Sequence, residues 1–167
     1  MRNTIHSVLR YSFKTRKTWW FTAIAKTKAR YARTALGSFW LGISTLMTVL
    51  CLGFVYGTVF NVSNFKEYFI YLGIGLVIWT PISEAINQAP LIFITNSNSL
   101  KNSTIKPIFF VCQEWAFQVQ SFMQAFIMVF IVFLIFSPGL VLNLVAAPLH
   151  FFNLLLFIFW LQLLISL

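Results

Sequence analysis

Of the 167 residues, 59% are apolar, 19% aromatic and only 9% charged, far fewer ionised side chains than the quarter or so that coats a soluble domain. The same arithmetic excludes intrinsic disorder, which needs few apolar residues and many charges. The net charge is +9, yet nine of the twelve Lys and Arg residues fall within the first 33 positions and Asp is absent, so the charge marks one end of the molecule and predicts no nucleic-acid partner.

The leader, residues 1 to 37, comes first. Ile5, Val8, Leu9 and Phe13 recur at helical spacing, with Arg2, Arg10, Lys14, Arg16 and Lys17 over the remaining surface. That pattern predicts an amphipathic helix lying in the headgroup plane and drawn to anionic membrane lipids. Trp19, Trp20 and Phe21 suit the same interface, and Lys26, Lys28, Arg30 and Arg33 lead into the first apolar run. A secretory signal is excluded, because its apolar region would follow directly on a few basic residues.

Residues 38 to 167 form the transmembrane part, since a span needs about 20 mostly apolar residues. The first span, residues 38 to 60, holds no charge and carries Trp40 and Tyr56 near its ends. The second, residues 68 to 94, is interrupted late by Pro81, Glu84, Asn87, Gln88 and Pro90, which predicts a bend or an early exit from lipid. The third, residues 117 to 136, clusters Gln118, Gln120 and Gln124 at its start, and the fourth occupies about residues 149 to 167. The fold class is therefore all-α and polytopic, an interfacial helix followed by four spans.

Orientation follows from basic residues in short flanks. With four spans, the leader and the loop around residues 96 to 116 share one side and hold eleven cations, Lys101 and Lys106 included. The opposite loops hold only Lys66, beside Glu67. The amino terminus is expected in the cytoplasm. The fourth span ends at Leu167 without a basic anchor, which predicts a chain cut short or the amino-terminal part of a longer protein.

Catalytic chemistry is sparse. His6 and His150 fall on opposite sides in this topology, so no metal site is expected, and no cofactor motif occurs. Cys51 and Cys112 read as packing residues. Gly37 and Gly42 have phosphate-loop spacing but are followed by Ile43 and Ser44, without the Lys that such a loop requires. The chain is expected not to be an enzyme, and any uphill transport needs work from another polypeptide. Glu84 and Glu114 are the ionisable residues of interest: Glu84, towards the cytoplasmic end of its span, is expected to snorkel or to pair with a leader cation, and Glu114, beside Trp115, to sit at the interface. Gly53 and Gly57 permit close helix approach.

The string Arg30-Tyr31-x-x-Thr34-x-Leu36-Gly37-x-x-Trp40 leading into a span, with Tyr56-Gly57-x-x-Phe60 at its end, resembles the start of bacterial polysaccharide export permeases. These are the membrane subunits of type-2 ABC transporters that export O-antigen, capsule or teichoic-acid chains. The likeness continues through Tyr68, Tyr71, Leu72, Gly75, Leu76, Trp79, Ser83 and Asn87, then Asn98-Ser99-Leu100-Lys101-Asn102-x-x-Ile105-x-Pro107. Family members often carry Pro where this chain has Ser38 and Thr45, and they have six spans, so the resemblance implies a truncated permease.

The resemblance implies a bacterial inner-membrane protein, with the leader as a gate helix and Arg30, Tyr31 and Arg33 at the substrate entrance. Asn98, Leu100, Lys101 and Pro107 would couple to a separate ATPase subunit. Trp40, Tyr56, Tyr71 and Trp79 would face a channel formed with a second permease copy, and the cargo would be a lipid-linked glycan. Two rival functions stand beside it. One is a membrane-embedded transferase acting on lipid-linked sugars, with Glu84 or Glu114 as base, and the other is a transport-inactive scaffold.

Overall fold

The computed structural model describes residues 8, 10–34, 37, 39–102, 104–136, 139 and 147–166. The leader's Arg2, Ile5, His6 and Leu9, Leu36 and Ser38 ahead of the first span, and Leu167 lie outside them. Residues 10–14 are helical and lead into α1, Arg16–Tyr31. There follow α2 (Phe39–Val59), α3 (Phe65–Gln88), a 3-10 turn (Ala89–Leu91), α4 (Ile92–Thr95), α5 (Ser97–Asn102), α6 (Ile108–Phe136) and α7 (Ala147–Ser166). Four segments are long and apolar enough to cross a membrane: Phe39–Val59, Phe65–Thr95, Ile108–Ile135 and Leu149–Ser166. The protein is an all-α membrane protein, and the described residues contain no strand.

Three features differ from the sequence expectation, the first being that the second span starts at Phe65 and not at residue 68. The third span starts at Ile108, nine residues before the expected 117. Pro107 stands just ahead of it, where a missing N–H costs a helix nothing, and the apolar run Ile108-Phe109-Phe110-Val111 extends the helix towards its start. The second span does not break at Pro81, which lies inside α3. The regular helix gives way at Pro90, where residues Ala89–Leu91 tighten into 3-10 geometry before α4 resumes.

The α6 helix is the axis of the bundle, packed against α1, α2, α3 and α7. Near its start, Phe109 and Phe110 cluster with Ile92, and Leu100 of α5 packs against them. Next, Ala116 and Phe117 meet Ala23 of α1. Further along, Phe122, Val129 and Phe133 join Val49 of α2 and Val77 of α3 in the largest apolar cluster, with Phe151 of α7 packed on it. Gly73 lets α3 come in under the Phe133 ring, since a Cβ there would collide with it. Gly53 works similarly, since a Cβ there would lie only 2.6 Å from the Phe69 ring, and Gly57 likewise makes room for Phe65, so the pair does bring helices together. Between α1 and α2 the chain turns at Gly37, whose φ of 57° lies in the left-handed region that glycine tolerates.

The leader's later part does not simply float on a headgroup plane. Along α1, Ala23 and Thr27 are buried against α6. Trp19 spends its indole N–H on the Ser12 carbonyl at 3.0 Å and sets its ring edge-on to Trp115, centroids 6.1 Å apart. Trp115 in turn donates to the Leu155 carbonyl of α7 at 2.9 Å. Trp20 and Phe21 remain exposed, as an interfacial position requires.

Candidate functional site at the charged end of the bundle

The leader cations and the polar residues of early α6 meet at one end. Lys26 of α1 forms an ion pair with Glu114 of α6, across 88 positions of sequence. Glu114 is 8% exposed, a buried carboxylate neutralised by its partner. The Lys26 ammonium and the Arg30 guanidinium both lie over the Phe117 ring, at 4.9 and 5.0 Å from its centroid. One turn on, Thr27 donates to the Ala23 carbonyl at 3.1 Å and lies 3.2 Å from Gln120 Oε1. These contacts hold α1 against α6 by charge, ring faces and hydrogen bonds together.

Glu84 of α3 approaches the same cluster, where the charges of Arg30, Glu114 and Lys26 act on it. Lys26–Glu114 is nevertheless the sole ion pair among the described residues, so the leader cation engages Glu114 rather than Glu84. Tyr31, at the end of α1, is half-buried, and burial pushes its phenol above the usual 10.0, so it remains a neutral hydrogen-bonding group at any physiological pH. Thr34 hydrogen-bonds to the carbonyls of Tyr31 at 2.8 Å and Gly37 at 3.1 Å, fixing the turn that follows.

Further out, Arg10, Lys14, Arg16, Lys17 and Lys106 line an open cleft of about 870 Å³ with Tyr11 and Phe13. No carboxylate is among these described lining residues. Lys106, from the segment before α6, lies over the Tyr11 ring at 5.3 Å, so two distant stretches of chain build one basic surface. Phe13 is 71% exposed beside those cations, an arrangement that suits contact with both a phosphate layer and the apolar region under it.

The residues singled out from sequence divide accordingly. Arg30, Tyr31 and Arg33 lie at the charged end, Arg30 and Arg33 exposed. Asn98, Lys101 and Pro107 are exposed on the segments joining α3 to α6, and Leu100 is tucked inward. Trp40, Tyr56, Tyr71 and Trp79 are 48, 41, 80 and 60% exposed on α2 and α3. Cys112 is buried as expected, but Cys51 is exposed on α2. Sequence reasoning missed Lys26, Gln118, Ser121 and Lys106 as members of a site. Part of the signal was there: Glu114, Gln118 and Ser121 stand at i, i+4 and i+7 on α6, a single helical face.

Among the described residues no group of three His, Cys, Asp or Glu could hold a metal ion. Comparison with protein families, with curated proteins and with solved structures finds no match.

Proposed function

We propose that the chain is a membrane permease subunit that moves a lipid-linked, phosphate-bearing glycan out of the bacterial cytoplasm, driven by a separate ATPase subunit. The observation that carries the reading is the basic cleft: five cations from two stretches of chain, with an exposed Phe13 beside them, on a bundle of four membrane-length helices. Such a surface attracts a multivalent anion while its apolar neighbour stays in lipid. In this reading the charged end faces the cytoplasm, following the excess of Lys and Arg there. Exposed Asn98, Lys101 and Pro107 supply the surface on which an ATPase subunit docks. The outward rings of Trp40, Tyr56, Tyr71 and Trp79 become channel walls only once a second copy faces them.

The test is purification of the tagged chain from its own host, together with a glycan export assay. An ATPase subunit should co-purify, and Lys14→Gln, Lys17→Gln and Lys106→Gln combined should lower export several-fold at unchanged protein level. Export that survives deletion of the chain, with no ATPase bound to it, contradicts the reading.

A second reading has one observation in its favour. Glu84 and Glu114 come close enough to act on each other, so a transferase would have two carboxylates at one end. Glu114 is already committed to Lys26, which leaves Glu84 as the base. On this reading Glu84→Gln abolishes turnover of lipid-linked sugar, whereas the permease reading needs no such turnover.

A further inference from the structure

Between α2, α3 and α6 lies a cavity of about 20 Å³, with Thr45, Thr80, Glu84, Gln118 and Ser121 among its walls and Val77 and Phe122 closing its apolar side. Gln118 is 2% exposed and Ser121 6%. Neither the amide nitrogen and oxygen of Gln118 nor the Ser121 hydroxyl has a hydrogen-bond partner. In an apolar bundle an unpaired buried polar group is costly, so two beside one carboxylate call for a ligand.

The lining chemistry narrows that ligand. Thr45 donates its hydroxyl proton to the Leu41 carbonyl at 2.9 Å and Thr80 to the Leu76 carbonyl at 2.7 Å. With those protons committed, both hydroxyl oxygens keep only acceptor lone pairs. Adding the Gln118 carbonyl oxygen, the Ser121 oxygen and the Glu84 carboxylate gives a lining rich in oxygen acceptors, with no imidazole or thiolate for a softer metal. A volume of about one water admits a bare ion and not its hydration shell. Of the neighbouring charges, Lys26 and Glu114 cancel each other in their pair, and Arg30, which also acts on Glu84, is exposed and lies over the Phe117 ring, where water weakens its pull. One carboxylate then balances one positive charge. A divalent ion would leave an excess charge in the low-dielectric interior.

We propose that this cavity binds a single dehydrated Na⁺, with Glu84 as its counter-charge and Gln118, Ser121, Thr45 and Thr80 as neutral oxygen ligands. The site joins α2, α3 and α6 at one point, so occupancy draws together the helix that follows the leader and the two helices that carry the acidic residues. This proposal does not depend on the permease reading, because it concerns an ion held by the chain itself.

The full-length protein in detergent tests it by two routes. Thermal unfolding is followed over a series of NaCl concentrations, with choline chloride holding ionic strength constant, and again with KCl. Retention of radioactive sodium is measured directly on the wild-type chain. The expected result is a melting temperature that climbs with Na⁺ and not with choline, a weaker response to K⁺, and saturable sodium retention. Glu84→Gln and, separately, Gln118→Leu should abolish both responses, the second variant doing so by removing the unpaired amide itself. Equal shifts with all three salts, an absence of saturable retention, retention that survives Glu84→Gln, or a stabilisation that follows pH and ignores Na⁺ each overturn the proposal.

Discussion

The two halves of α6 solve different problems. Its later half is an aromatic stack: Phe122 to Phe126 and Phe126 to Phe130 lie 5.9 and 5.6 Å apart, nearly parallel, and Phe151 of α7 meets Phe126 edge-on at 4.6 Å. Val129 and Phe133 extend it into the cluster with Val49 and Val77. Its first half instead carries Glu114, Gln118, Gln120 and Ser121, and is held to α1 by an ion pair and two cations on one ring. The apolar half is stabilised by shape alone, since in lipid there is no hydrophobic gain from moving one apolar surface onto another. The polar half must pair each group it buries, and Gln118 and Ser121, left unpaired, line the cavity beside Glu84.

The comparison can be broken at either half. Phe133→Ala removes the most tightly enclosed ring of the apolar half, 2% exposed, and should cost about 3–5 kcal/mol, read as a lower unfolding midpoint in detergent. Lys26→Met leaves Glu114 buried without its cation. Because Lys26 itself is 42% exposed, the loss should be about 2 kcal/mol, and adding Glu114→Leu should restore most of it. A double variant no more stable than Lys26→Met would show that the charged half is not held by that pair. Gly73→Ala pushes a methyl group into the Phe133 ring and should destabilise by about 1–2 kcal/mol. Trp115→Phe deletes the hydrogen bond to Leu155 and should cost about 1 kcal/mol, with tryptophan fluorescence reporting the loosened contact to α1.

Tyr31 gives the smallest effect and a clear sign. Its folded-state pKa is raised above 10.0, so the unfolded chain loses the phenolic proton first. The stability that Tyr31 contributes is complete below pH 10 and declines above it. Tyr31→Phe should flatten that alkaline decline, and ultraviolet titration should show one tyrosine ionising late.

The apolar half was legible in the sequence and the polar half only in part. An uncharged run of membrane length declares itself, and α2 lies within one residue of each expected end. The start of α6 lies earlier than its uncharged run suggests, because Glu114 is buried within the helix and does not end it. What neutralises it is Lys26, 88 positions away, and no local pattern records that. The leader cations were visible as a composition, but their sorting was not: Lys26 and Arg30 turn to Phe117, and Arg10, Lys14 and Lys17 to the open cleft. Likewise Gln118 and Gln120 look equivalent in sequence. Helical geometry turns Gln120 towards Thr27 and Gln118 into the cavity beside Glu84.

In the proposed permease the charged end faces the cytoplasm and the aromatic half reaches the far side of the membrane. In a chain with Cys51 and Cys112 replaced by Ala, a single cysteine is placed at exposed Lys66 or at exposed Lys101, and intact cells are treated with a membrane-impermeant maleimide. The account predicts labelling of Lys66→Cys in intact cells, and of Lys101→Cys only after the membrane is opened. Labelling of Lys101→Cys from outside, with Lys66→Cys protected, would contradict it.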